Sequence, residues 1–232
     1  MMKGDSQGQK EATEKVAATY DHFYQQPNYF HYRDWLYRPF IRALIKVAGL
    51  KRGGRVLDVG CGQGFFTSLF ADEGMDSLGA DLSSEGVAQA RVHHGKSGAK
   101  YEVGDALRLP YPSVFDCVYS RSCSLYNRAD FADQRDTTDA LLGYVRPGGV
   151  LIFDYYTNLC ARKKSNSWRY HSLEETQRHF SAFTDCRVYF SLRADTMLLG
   201  RYAFGFTGLN AWVSRISGVG GELVAILHKK QK

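Results

Sequence analysis

Long apolar runs are missing from this chain: even Phe40 to Val47 is broken by Arg42 and Lys46. A membrane span needs roughly 18 to 20 consecutive apolar residues, so no crossing of a bilayer is expected. The first ten residues hold no apolar core of the kind an export signal requires. Cysteine is scarce and odd in number, five residues at 61, 117, 123, 160 and 186 with no Cys-x-x-Cys pair. That pattern argues against a disulfide framework and against a zinc cluster, so no metal and a reduced, cytoplasmic setting are expected. Proline is sparse, five in 232 residues, and the glycines are scattered rather than periodic, which excludes collagenous and low-complexity chains. Acid falls short of base: Lys+Arg 30 against Asp+Glu 24 leaves +6. Such a charge favours a phosphate- or carboxylate-bearing partner but is too small for non-specific nucleic-acid binding.

What the chain does have is an aromatic N-terminal third and an alternating middle. Tyr20, Phe23, Tyr24, Tyr29, Phe30, Tyr32, Trp35, Tyr37 and Phe40 crowd into one stretch. Leu36, Phe40, Leu44 and Val47 recur at three or four, predicting a helix from about Arg33 to Ala48, while residues 1 to about 12 read as loose. From Arg55 the pattern becomes strand, helix, strand: Val56 to Val59, Phe65 to Glu73, Ser77 to Ala80, Ser84 to His94, Lys100 to Val103, Phe115 to Ser120, Ala129 to Tyr144, Val150 to Phe153. Strands separated by helices imply right-handed crossovers, hence an α/β, doubly wound, mostly parallel sheet. Leu173 to Phe180 reads as a helix, and Cys186 to Leu192 and Leu223 to His228 as strands. Met197 to Ile216 is apolar and aromatic without an assignable period. One compact unit is expected, residues 1–50 forming an N-terminal helical extension and 51–232 the main domain.

The most informative segment runs Val56-Leu-Asp-Val-Gly-Cys-Gly-Gln-Gly-Phe-Phe-Thr67. A strand enters glycines at 60, 62 and 64 and passes directly into a helix, so backbone can approach a ligand while helix N–H groups point at it. Asp81 follows at the end of the second strand, 21 residues past Gly60, placed to accept from ribose hydroxyls. A plain tight turn, with Asp81 capping the next helix, is the competing reading. A dinucleotide fold wants a glycine where Phe65 stands. The Gly-x-Gly-x-Gly pattern after Asp58 instead resembles motif I of the class I S-adenosylmethionine-dependent methyltransferases. Leu78-Gly-Ala-Asp-Leu-Ser83, Gly104-Asp-Ala106, Phe115-Asp-Cys-Val-Tyr-Ser120 and Val145-Arg-Pro-Gly-Gly-Val-Leu-Ile152 resemble that family's later motifs in order.

The resemblance implies a Rossmann-like methyltransferase fold, S-adenosyl-L-methionine as cofactor and S-adenosyl-L-homocysteine as product. It implies that Gly60, Cys61 and Gly62 line the methionine part, with Asp58 supporting the loop. Asp81 would hold the ribose and Leu82 would pack on adenine. Asp105 and Ala106 would meet the adenine edge, and Ser120 and Arg121 the methionine tail. It also implies that the N-terminal helix folds over the cofactor as a lid, with Tyr20, Tyr24 and Arg33 as candidates for its carboxylate. A general base is needed only for an acceptor protonated at working pH, and His31, Asp154 and His171 are the candidates by position. The partner expected is a small-molecule acceptor, anionic or aromatic, because Arg162-Lys-Lys164 and Trp168-Arg-Tyr-His171 follow the fifth strand. No membrane and no nucleic acid are expected, and the chain would be a monomer or homodimer. An RNA-modifying methyltransferase and a non-catalytic cofactor-binding subunit are the alternative readings.

Overall fold

The computed structural model describes residues 5–26, 32–127, 134–159 and 168–231. Seven strands form one sheet in the order β3-β2-β1-β4-β5-β7-β6. They are β1 Arg55–Val59, β2 Asp76–Asp81, β3 Lys100–Val103, β4 Phe115–Arg121, β5 Val145–Tyr155, β6 Asp185–Leu192 and β7 Gly221–His228. The first five pair in parallel, whereas β7 lies antiparallel between β5 and β6. The helices between them are α3 Phe65–Asp72, α4 Ser84–His94, α5 Arg135–Tyr144 and α6 Leu173–Ser181. Two more, α1 Asp5–Tyr24 and α2 Asp34–Val47, precede the sheet, and α7 Arg193–Leu199 and α8 Thr207–Ser217 join β6 to β7.

Alternation along the strands builds two cores. Val56, Cys117, Tyr119, Ile152 and Ile226 point to one face, where α2 and α3 supply Phe40, Ile41, Leu44, Leu69 and Phe70. Leu57, Val118, Leu151, Phe153 and Leu227 point to the other, under Leu141 and Tyr144 of α5 and Phe180 of α6. Both faces are therefore covered, which is why these strands read as nearly continuous apolar runs. The α2 stripe predicted from its spacing is core: Phe40 and Leu44 are fully buried.

Two sequence expectations change. Helix α1 begins at Asp5, so residues 5 to 12 are helical where a loose segment was expected. The fifth strand runs the full length Val145–Tyr155, because β4 and β7 flank it and bond both its edges. The unassigned stretch after Met197 resolves into the end of α7, a 3-10 turn over Gly200–Phe206, and α8.

Candidate cofactor and acceptor cleft

A cleft of about 1250 Å³, its open mouth included, lies at the carboxyl ends of β1, β2 and β4 under α1. This is where a doubly wound sheet places its ligand crevice. Its floor is the loop leaving β1. Gly60, Gly62 and Gly64 have φ of 71°, 52° and 80°, in the left-handed region open to glycine at no steric cost. The space around them is filled as well. A Cβ on Gly60 would stand 2.5 Å from Cys123 Sγ, and one on Gly62 would stand 2.5 Å from Tyr24 Oη.

Asp81 locks that loop. Its Oδ2 accepts from the Gly62 N–H and its Oδ1 from the Ser83 N–H, both at 2.8 Å. Burial raises its pKa, and the two backbone donors pull the other way. Asp58 is 2% exposed and accepts from Thr67 Oγ1 at 2.6 Å. Burial pushes its pKa up to about 7, with the Thr67 hydrogen bond opposing. Asp105 also lines the cleft, and it serves as a turn residue too, accepting from the Leu107 N–H at 3.0 Å.

Helix α1 closes over this floor. Asp21, which the sequence reading passed over, accepts from Ser83 Oγ at 2.5 Å and from the Glu85 N–H at 3.0 Å, so it caps the start of α4. Gln89 Nε2 donates to the Tyr24 carbonyl at 2.9 Å. The Tyr24 ring is wedged over Gly62 and Gly86, 5% exposed, and burial raises its phenol pKa well above the ordinary value.

The far wall is a buried charge cluster. Arg121, at the end of β4, pairs with Asp154 and, at 2.9 Å, with Glu222 of β7. Its guanidinium lies over Phe66 at 4.5 Å and over Tyr37 at 5.2 Å. Arg193 at the start of α7 bonds the other Glu222 oxygen at 2.6 Å. Burial opposes the Glu222 charge, yet Arg121 and Arg193 together pull its pKa down to about 2. Asp154, which has Arg121 but not Arg193, is pushed up to about 6 by burial although Arg121 opposes this. Arg121 Nε is buried with no partner among the described residues. The next residue, Ser122, holds φ 43°, uncommon for a non-glycine residue, and faces the cleft.

Of the residues singled out from sequence, Tyr20, Tyr24, Asp58, Gly60, Cys61, Gly62, Asp81, Leu82, Asp105, Ala106 and Arg121 line this one cleft. Four others sit elsewhere. Arg33 is exposed ahead of α2 and is not at the cleft wall. Ser120 is fully buried in a hydrogen bond with Tyr155 Oη at 2.9 Å. The expectation that Asp154 and His171 could act as bases is corrected, because both are fully buried and neither lines the cleft. Asp154 is engaged by Tyr119 Oη at 2.6 Å and by Arg121. His171 accepts from Arg169 Nε at 3.3 Å, and burial lowers its pKa to about 3, so it stays neutral. His31 and the basic run 162–164 lie outside the described residues. Tyr32, Phe66 and Trp168 complete the wall. Their aromatic character gave a signal in the sequence, but many other aromatics there are core.

Fold and cleft together define a Rossmann-like sheet with a glycine-floored crevice at the carboxyl ends of its parallel strands. Residues 57–153 match the methyltransferase domain family. The chain is 34% identical over 119 residues to phosphoethanolamine N-methyltransferase 3 of Arabidopsis thaliana, covering 49% of this chain and 24% of that protein. It is 32% identical over 112 residues to the ubiquinone biosynthesis O-methyltransferase of Bordetella avium, covering 47% and 45%. It thus spans less than half the length of these relatives. Among solved structures, phosphoethanolamine N-methyltransferase 2 of Haemonchus contortus in complex with S-adenosyl-L-methionine superimposes with a TM-score of 0.60 at 22% identity, covering 92% of this chain and 60% of that one. Residues 57–153 thus match a methyltransferase domain, and the relatives named here are all methyltransferases, the Haemonchus contortus protein with S-adenosyl-L-methionine bound.

Proposed function

We propose that this protein transfers a methyl group from S-adenosylmethionine to a small-molecule acceptor, anionic or ring-bearing, by direct displacement. The observation that carries the reading is the convergence of the Gly60–Gly62 loop, Asp81, Asp105 and Ala106 on a single cleft. The residues fit the cofactor. Each Asp81 oxygen accepts one backbone N–H, and a carboxylate oxygen has a second lone pair for a ribose hydroxyl. Side chains are excluded at Gly60 and Gly62 by both φ and space, so backbone alone meets the ligand there.

When bound, S-adenosylmethionine supplies an electrophilic methyl on a cationic sulfur. The protein's part is alignment and exclusion of water. Tyr20 and Tyr24 on α1 cover the cleft, and Tyr32, Phe66 and Trp168 offer aromatic faces that suit a cation or a ring. Asp154 and His171 are withdrawn into packing, which favours acceptors already nucleophilic in the form that binds. The names of the relatives, covering N- and O-methylation of small molecules, support this class without choosing the atom.

Titration calorimetry with S-adenosylmethionine, S-adenosylhomocysteine and NADH tests the first step, with micromolar binding of the two sulfur compounds and none of NADH expected. Radiolabelled methyl transfer to a panel of carboxylates, phenols and amines tests the second. NADH binding alone would overturn the reading, and tight cofactor binding with no transfer to any panel member would favour a non-catalytic subunit.

A further inference from the structure

The segment between β6 and β7 turns its large apolar side chains outward. Fifteen large hydrophobics are exposed among the described residues, and nine of them fall between 197 and 219, so one short insert carries most of the exposed apolar surface. Helix α8 is inside out. It packs on its neighbours through Asn210, Ala211 and Ser214, with Asn210 Nδ2 donating to the Phe190 and Ala203 carbonyls and Ser214 Oγ to the Val219 carbonyl. Phe206, Leu209, Trp212, Ile216 and Val219, spaced three or four apart, are left on the outer face. Leu198, 82% exposed, and Tyr202, 66% exposed, extend the apolar surface along the insert.

Within the insert after Asp195 the charge has one sign. Residues 196–221 contain no acid, while Arg201 and Arg215 are cations within them. Lys46 of α2 lies near enough to Tyr202 to help Arg201 lower its phenol pKa. Apolar and aromatic side chains edged by cations are the composition of a helix lying in a bilayer interface. A two-fold contact with a second copy would pair the same surface with itself, cations against cations, which disfavours that occupant. No helix among the described residues is long and apolar enough to cross a membrane.

We propose that this face docks on an anionic lipid bilayer, with Leu209, Trp212 and Ile216 at the boundary of headgroups and acyl chains and Arg201, Arg215 and Lys46 toward the headgroups. The expectation of no membrane partner is thereby revised to docking without spanning. The position is apt. β6 runs parallel to β5 because each is antiparallel to β7, so α7 leaves the sheet at the same end as the cleft. Arg193, its first residue, reaches Arg121 in the cleft wall through Glu222. The docking is independent of the methyl-transfer reading, and its test needs no cofactor.

The full chain is floated with vesicles of phosphatidylcholine alone and of phosphatidylcholine with roughly a third phosphatidylglycerol. One cation near the surface is worth about fivefold in affinity, so the anionic vesicles should bind tighter by about tenfold or more. Leu209→Ser/Trp212→Ser/Ile216→Ser, all at exposed positions, should cut binding roughly tenfold with circular dichroism and melting unchanged. Arg201→Gln/Arg215→Gln should cut the anionic preference to about the fivefold that Lys46 alone supplies. In a Trp35→Phe/Trp168→Phe background, Trp212 emission should shift to the blue on adding anionic vesicles. Absence of binding to anionic vesicles, or binding that the triple variant retains, overturns the proposal. A dimer in sedimentation that the triple variant abolishes would give the face to a second copy instead.

Discussion

Replacing Asp58 with asparagine should stabilise the protein at neutral pH and do little at about pH 4. Asp58 is a carboxylate with 2% of its surface exposed, and one hydroxyl, from Thr67, faces it at 2.6 Å. Burial raises its pKa from 3.8 to about 7, the Thr67 bond and the Arg121 charge resisting and the Asp81 charge adding. The folded pKa lies above the unfolded one, so the native state holds the extra proton. The group is neutral in both states at low pH. Its cost grows as the pH rises past the unfolded value and levels off above about 7. A shift of about three units corresponds to about 4 kcal/mol as a ceiling. Asparagine never ionises, and its Oδ1 can still accept from Thr67. Urea unfolding of both proteins at a series of pH values should therefore show their difference in stability widening from about pH 4 to about pH 8, by up to that amount. A difference that does not change with pH would mean that Asp58 titrates normally and that the burial argument fails. Binding supplies the opposite test. A cationic cofactor favours the ionised form, so wild-type affinity for S-adenosylmethionine should rise as pH passes through about 7, and Asp58→Asn should flatten that rise.

Gly62→Ala must place a Cβ 2.5 Å from Tyr24 Oη at φ 52°. It should cost about 1 to 2 kcal/mol in thermal unfolding and weaken cofactor binding in calorimetry, and adding Tyr24→Ala should recover only the part due to the contact. Asp21→Ala removes the acceptor of the Glu85 N–H while Ser83 still caps the Gly86 N–H, and should cost about 1 kcal/mol. Faster hydrogen exchange is expected in α1 and the first turn of α4, with the sheet unchanged. Glu222→Gln leaves Arg121 and Arg193 sharing one acid fewer, and removing one partner of a buried pair costs about 3 to 5 kcal/mol. Because the folded pKa of Glu222 is depressed to about 2, its contribution is present above the unfolded value near 4.5 and is lost as pH falls toward 2. An acid-unfolding midpoint that the variant leaves in place would refute that account.

The first half of the fold was legible because its signals are local. Glycines at 60, 62 and 64, the acid at 81 and the alternation of strand and helix each follow from backbone freedom or side-chain period, and the structure gathers Gly60, Gly62 and Asp81 at one cleft. The charged wall was not legible. Asp154 reads as an acid at the end of a strand, a position that suggests catalysis. What withdraws it is Arg121 across the β4–β5 register and, through Arg121, Glu222 of β7, 68 residues later, a pairing that no spacing announces. Helix α8 failed for a different reason. Its buried positions are Asn210, Ala211 and Ser214, so a reading that assigns apolar residues to the inside has no period to follow there. Asp21 was hidden by chemistry that is ordinary for a surface helix, and only its docking on Ser83 gives it a role.

Lid and loop share the same few atoms, and this limits how the site can work. Asp81 holds the loop through the Gly62 N–H and the turn after β2 through the Ser83 N–H. The same Ser83 donates its hydroxyl to Asp21 on α1, and the same Gly62 lies under the Tyr24 ring of α1. A change in how Asp81 is engaged therefore reaches the lid through two adjacent contacts, and undocking of α1 removes the roof of Gly62 and the partner of Ser83 together. Sites joined in this way carry a coupling free energy that is equal in both directions. If a ribose engages Asp81, the lid must respond, and a lid that is loosened by Asp21→Ala must change cofactor affinity even though residue 21 does not line the cleft. A variant that loosened α1 and left cofactor affinity untouched would show that the shared contacts transmit nothing, and the helix would then be a cover rather than a part of the binding site.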